Sequence, residues 1–222
     1  MSSERQQRVP LSRERVLAAA RDLCDAEGLA GLSMRRIAER LGVEAMSLYH
    51  HVGNKDRILD GLVDGVFAEI TVPPRDGTCW REALAVRCHS ARAVLLRHGW
   101  AVGLLDSRRQ TGPCTMAHHD AVIGCLRRAG FTLAATTHAF SLIDSYLYGF
   151  VLQELAMPIR TPADLDSVGQ ELLTALPEDA FPAFSEMVRH TLTVGWDPDQ
   201  TFAVGLGAVL DAVARLGGIE AD

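Results

Sequence analysis

The chain has 222 residues, 48% hydrophobic and 6% aromatic, with a formal net charge of −6 at pH 7. That length allows a substantial buried core, and no uninterrupted apolar run reaches the roughly 18 residues of a membrane span. An acidic total is unexpected for a nucleic-acid binder, yet the charge divides unevenly: residues 1–57 sum to +2 and residues 58–222 to −8.

Residues 1–10 are polar and charged without an apolar h-region. They read as a loose N-terminal arm rather than a leader, and a cytoplasmic protein is expected. Arg5 and Arg8 are basic enough to touch DNA, although a frayed terminus explains them equally well. Ser12 is a suitable N-cap for a helix whose apolar stripe is Val16, Leu17, Ala20, Leu23 and Cys24. Ser33 caps a second helix with Ile37, Ala38 and Leu41 on one stripe. Gly42 then stops it, because glycine adopts the left-handed conformation that ends helices, and Val43 turns inward.

The next helix, about Ala45 to His51, buries only Leu48 and Val52. It leaves Ala45, Met46, Ser47, Tyr49, His50 and His51 to an outside partner. Two short helices joined by a glycine turn are a helix-turn-helix pattern. Neither is long enough to be stable alone, so the helix after Ser12 must complete a three-helix core over residues 11–57. In such a unit the second motif helix meets base edges while flanking polar groups and helix N-termini hold phosphates. Asn54 caps the following helix and sets Lys55 at its positive end. The same pattern also occurs in all-α proteins that never touch DNA.

Residues 58–222 read as a larger helical body. The helix begun at Asn54 continues through Ile58, Leu62, Val66, Phe67 and Ile70 to Pro73-Pro74. Helical spacing resumes with Trp80, Leu84, Cys88, Ala91 and Leu95, breaks at Gly99, and leads to a short segment ending near Asp106. Met116, His119, Val122, Ile123 and Leu126 give a helix closed by Gly130. Thr132 caps a long helix through Phe140, Ile143, Tyr146, Leu147, Phe150 and Val151. After Pro158 and Pro162, helices are expected at about 184–192 and 197–216, for roughly ten helices in an all-α fold with no convincing strand. Small residues in the last helix, Ala203, Gly205, Gly207 and Ala208, permit close approach of a second helix: in the core, or across a dimer interface.

The chemistry of the body is spare. Five cysteines without a C-x-x-C pair suggest reduced thiols rather than a disulfide framework or a tetrathiolate site. His118-His119-Asp120, with Cys114 nearby, is a weak metal signal, since adjacent helical side chains point about 100° apart. No metal and no cofactor are expected. Without a P-loop, a Ser-His-Asp order or a His-Glu-x-x-His helix, nothing supports an enzyme.

The run from Gly28 to Ala38, Gly-Leu-Ala-Gly-Leu-Ser-Met-Arg-Arg-Ile-Ala, followed by Leu48-Tyr49-His50-His51-Val52-Gly53-Asn54-Lys55-Asp56, resembles the tetracycline-repressor (TetR) family of bacterial transcription regulators. Arg127-Arg128-Ala129-Gly130-Phe131 and Gly149-Phe150-Val151-Leu152 are similar to the ligand domain of the tetracycline-repressor subgroup of that family. The resemblance implies a homodimer on a palindromic double-stranded operator, most simply a repressor released by a small-molecule effector. An adaptor that responds to a protein partner is the alternative.

By position, the resemblance implies that Arg35, Ala45, Met46 and Ser47 read bases. Tyr49, His51 and Lys55 hold phosphates, with Ser33 and Met34 beside them and His50 on the same face. The tetracycline repressors carry Gln and Pro where this chain has Ala45 and Met46; apolar side chains offer contact only to groups such as a thymine methyl, which implies a different operator. The positions of the drug- and magnesium-holding His and Glu fall on Asp106 and Gln153, so tetracycline is not the expected effector. Arg87, Ala91, Gln110, His119, Val122, Phe140 and Asp144 fall on other drug-contacting positions. The expected chamber has Val122 and Phe140 as walls and Asp106, Gln110, His119 and Asp144 as polar groups.

Overall fold

The computed structural model describes residues 10–76, 79–105, 107, 112–176 and 180–219, and all regular structure among them is helical. Ten α-helices follow in order: α1 Arg13–Glu27, α2 Met34–Leu41, α3 Ala45–Val52, α4 Lys55–Glu69, α5 Trp80–Arg97, α6 Pro113–Arg128, α7 Leu133–Ala156, α8 Pro162–Ala175, α9 Pro182–Val194 and α10 Pro198–Gly217. Short 3₁₀ segments lie at Leu29–Gly31 and Gly99–Leu104. The chain forms two compact units, one reaching to Phe140 and one from Ser141 onward, so the division falls inside α7.

The helix ends obey the sequence. Ser12 accepts from Arg15 N–H, Ser33 from Arg36 N–H and Asn54 from Arg57 N–H, so each side chain satisfies a donor that the helix itself leaves open. Gly42 ends α2 at φ 65°, ψ 38°, and Val43 N–H returns to Ala38 O at 3.0 Å, a closed C-terminal motif that fixes the direction of α3.

In the first unit α1, α2 and α3 enclose one core of Val16, Ala20, Leu23, Cys24, Leu32, Ile37, Ala38, Leu48 and Val52. Ile58 and Leu62 of α4 belong to the same core. Burial of these apolar groups holds helices that propensity alone would not. Beyond it, α4 packs on α6 and α5, and the 3₁₀ segment 99–104 touches α1, α4 and α5.

A polar junction joins these elements. Trp100 packs against the core just described, and its indole N–H donates to Asp25 Oδ1 at 2.6 Å. The buried His98 ring lies between Asp25, 2.7 Å from Nδ1, and Glu69, 3.4 Å from Nε2. Arg21 and Arg97 also donate to Glu69. Burial alone would raise the Glu69 carboxyl, but the bonds from Arg97 and His98 and the charge of Arg21 outweigh it and hold it below the usual range.

In the second unit the later part of α7 meets α10 through an aromatic set: Tyr146 stacks on Phe202, and Phe150 meets Phe202 edge-on. The Tyr146 hydroxyl donates to Phe202 O at 2.9 Å. Gly205 allows this approach, because a Cβ there would collide with the Tyr146 hydroxyl. Thr161 and Asp164 form a capping box on α8, which pairs with α9.

Candidate DNA-reading face and effector groove

Two arginines adjacent in sequence have opposite fates. Arg36 is half-buried and makes a two-armed pair with Glu27 while also donating to Gly31 O, which ties α2 to the end of α1. Arg35 points outward, its side chain 83% exposed, and it meets the exposed Glu39 one turn on at 3.4 Å. An exposed pair of that kind is worth little, so Arg35 can be recruited by an outside acceptor. Arg40 pairs with Asp22 at 3.0 Å and so links α2 back to α1.

α3 presents Met46, Tyr49, His50 and His51 as exposed side chains, with Met46 70% exposed, and Lys55 is exposed at the start of α4. Leu48 and Val52 face inward as their spacing requires. No side chain caps α3, so its first N–H groups stay open to an outside acceptor. Ser47 and Ser33 are half-buried, and Met34 and Ala45 pack partly against the three-helix core. The outward surface is therefore narrower than the α3 sequence suggests: Met46, rather than Ala45, is its prominent apolar group.

Four of the side chains expected in the chamber are described, and they differ in burial. His119 is half-buried, with its ring edge-on to Phe67 at 5.4 Å and to Phe140 at 5.4 Å. Phe140 lines an apolar groove of about 200 Å³ with Ile123, Leu133, Thr136 and Thr137. Val122 is buried, 1% exposed, and does not line this groove; the next residue, Ile123, does. One residue along a helix turns the side chain by about 100°, so the stripe alone does not distinguish them. Asp144 lies four residues after Phe140 on α7, buried and in the second unit. Asp106 and Gln110 lie outside the described residues, as do Arg5 and Arg8 of the arm.

Beneath His119, Arg87 and His118 form a fully buried pair. The Arg87 Nε and Nη2 atoms are 3.1 and 3.0 Å from His118 Nε2. Arginine is always a donor, so Nε2 accepts and the imidazole proton sits on Nδ1. Burial pushes the His118 pKa down to about 3, with the charges of Arg87 and His119 adding to the effect. The Nδ1 atom is buried with no hydrogen-bond partner among the described residues. The expected apolar stripe runs through Met116 and His119, yet packing buries His118 and leaves Met116 exposed and His119 half-buried, because Thr115, His118, Val122 and Cys125 form the face that the neighbouring helices cover.

The five cysteines are free thiols. Cys24 is raised to about 11, first by burial and then by Asp25, which leaves it protonated and unreactive. No group of three His, Cys, Asp or Glu side chains able to hold a metal occurs among the described residues, and no helix among them is long and apolar enough to cross a membrane.

Comparison with known proteins gives two family matches. Residues 16–62 match the bacterial regulatory proteins of the tetR family, and residues 73–216 match the tetracyclin repressor-like C-terminal domain. The chain is 36% identical over 214 residues to the HTH-type transcriptional repressor DrrR1 of Streptomyces coeruleorubidus, covering 93% of this chain and 78% of that one. It is 31% identical over 208 residues to the class C tetracycline repressor of Escherichia coli, covering 93% and 92%. Among solved structures, the TetR family protein ActR of Streptomyces coelicolor in complex with actinorhodin superposes with a TM-score of 0.78 at 29% identity, covering 95% of this chain and 100% of that one.

Proposed function

Because this chain belongs to the tetR family of bacterial regulatory proteins, we propose that it is a repressor that binds a palindromic operator as a homodimer and is released by a small molecule. It is a transcription regulator and not an enzyme. The observation that carries the reading is the split on α2 and α3: Leu48 and Val52 anchor the motif inside, while Arg35, Met46, Tyr49, His50 and His51 remain outside, with Lys55 beyond. A second copy compensates for a head of only +2 net charge, since two heads on one duplex double the phosphate contacts.

In this reading residues 1–10 are an arm, 11–57 the DNA-binding domain and 58–222 the effector-binding and dimerisation domain, and the protein works in the cytoplasm. Arg35, Ala45, Met46 and Ser47 read bases; Ser33, Met34, Tyr49, His50, His51 and Lys55 position the backbone. The effector site includes His119 and Phe140 with Ile123 in the first unit, with Asp106 and Gln110 as the polar contacts that the resemblance implies. ActR in complex with actinorhodin supports a small-molecule effector, and the apolar groove beside Phe140 supports a largely apolar one.

A thermal-shift screen with cationic, polyketide and acyl compounds, with and without magnesium, tests the second half of the reading. A true effector at 100 times its Kd adds about 2.7 kcal/mol and releases the duplex. Stabilisation without any effect on DNA binding would refute release.

A further inference from the structure

α6 has no cap of its own. Its N-cap position is Gly112, without a side chain, and Pro113 opens the helix. The missing acceptor comes from another helix: Asp64, on α4, takes the Thr115 backbone N–H at 2.9 Å and the Thr115 hydroxyl at 3.1 Å on the same Oδ1. The carboxylate fills the space where a side chain at 112 would lie, since a Cβ there would collide with it. The backbone at 112, φ −81° and ψ 173°, suits any residue. Gly112 is therefore required by Asp64 and not by its own conformation.

This bond joins two helices with different duties. α4 places Lys55 beside the motif and Ile58 and Leu62 in the three-helix core. α6 carries His118 and His119 just past Thr115, and Phe67, one turn beyond Asp64 on α4, meets both rings at 5.1 and 5.4 Å. The two helices are thus tied at a polar point and at an aromatic one.

We propose that Asp64 is the positioning residue that couples α6 to the DNA-binding head, because the start of α6 keeps its cap only if α4 moves with it. The inference rests on reading the chain as a ligand-responsive DNA-binding regulator. Coupling between sites is reciprocal, so a duplex bound at the head must be felt in α6 whatever the effector is.

A purely structural cap makes a different prediction, and one variant separates the two. Asp64→Ala with Gly112→Ser gives α6 a hydroxyl cap of its own, in the space the carboxylate vacates, and cuts the polar tie to α4 while leaving Phe67 against His118 and His119. The probe is a duplex selected by the wild-type full chain from a random-sequence pool, and the readout is amide hydrogen exchange of residues 113–128 with and without it. In the wild type, duplex binding is expected to change exchange in α6 by about fivefold or more. In the double variant α6 stays protected in the free protein, while the duplex-induced change falls within about twofold of none. The same duplex-induced change in both proteins, or none in the wild type, overturns the proposal.

If circular dichroism finds the double variant unfolded, Asp64→Asn serves instead. It keeps a weaker, uncharged acceptor, so the duplex-induced change should shrink at least about twofold, and an undiminished change overturns the proposal. Recovery of no duplex in the selection removes the DNA-binding reading and this inference with it, whereas a recovered duplex that leaves α6 unchanged removes the inference alone.

Discussion

Lowering the pH from 7 to 5 is expected to cost the fold about 2 kcal/mol through His118 alone. The folded protein holds this imidazole neutral, with a pKa near 3, while the unfolded chain protonates it at the ordinary 6.5. Its contribution is therefore complete above 6.5 and is lost as pH falls below that value toward 3. At pH 5 the unfolded chain gains about 1.5 pH units of protonation that the folded chain cannot match, at about 1.4 kcal/mol per unit. The assay is urea unfolding of the wild type and His118→Gln at pH 7, 6 and 5. Glutamine sets an amide oxygen near the position of Nε2, where Arg87 donates, but does not titrate. The remaining histidines are common to both proteins and cancel in the difference. Wild type should lose about 2 kcal/mol more than the variant between pH 7 and pH 5. Parallel losses, within about 0.5 kcal/mol, would refute the assignment of a buried neutral His118.

On the DNA side, Arg35→Ala and Tyr49→Ala should each weaken duplex binding by about 1–3 kcal/mol without altering the helical circular dichroism; undiminished binding measured by fluorescence anisotropy would discard the assigned face. Lys55→Ala should weaken binding to different duplexes about equally and lower the salt slope by about one for each phosphate it no longer neutralises, which a titration at several salt concentrations reads directly. Gly42→Ala meets no atoms within 4 Å and fails only on its backbone, φ 65°, so a loss of about 1 kcal/mol in chemical unfolding is expected. Gly205→Ala drives a methyl into the Tyr146 hydroxyl and should cost about 1–3 kcal/mol, with Tyr146→Phe in the same background recovering part of it.

The N-terminal motif was readable because its signals are local. Ser12, Ser33 and Asn54 act as caps where their positions implied, and Gly42 and Val43 turn the chain as a short-range pattern dictates. The inward pair Leu48 and Val52 follows from helical spacing. In the body, the expected helices are present, with Thr132 accepting from Ala135 N–H at the start of α7. Site residues were harder to place. Val122 and Ile123 share an apolar stripe, and which one borders open space depends on what packs against the helix.

Residues far apart in sequence supplied what pattern reading missed. Trp100 gave no signal of its own, yet it covers the N-terminal core and bonds Asp25, 75 positions away. Asp64 looks like an ordinary solvated position on an amphipathic helix until α6 begins beside it. The expected helices, their caps, the glycine turn and the inward pair of the motif were thus determined by the sequence alone, because each depends on neighbours within one or two helical turns, whereas α8 was not expected and the outward face of the motif is narrower than its sequence suggests. Which of two histidines is buried, which arginine is free to reach outward, and which carboxylate caps a foreign helix were decided only by tertiary packing, since these depend on desolvation and partners that arrive from distant parts of the chain.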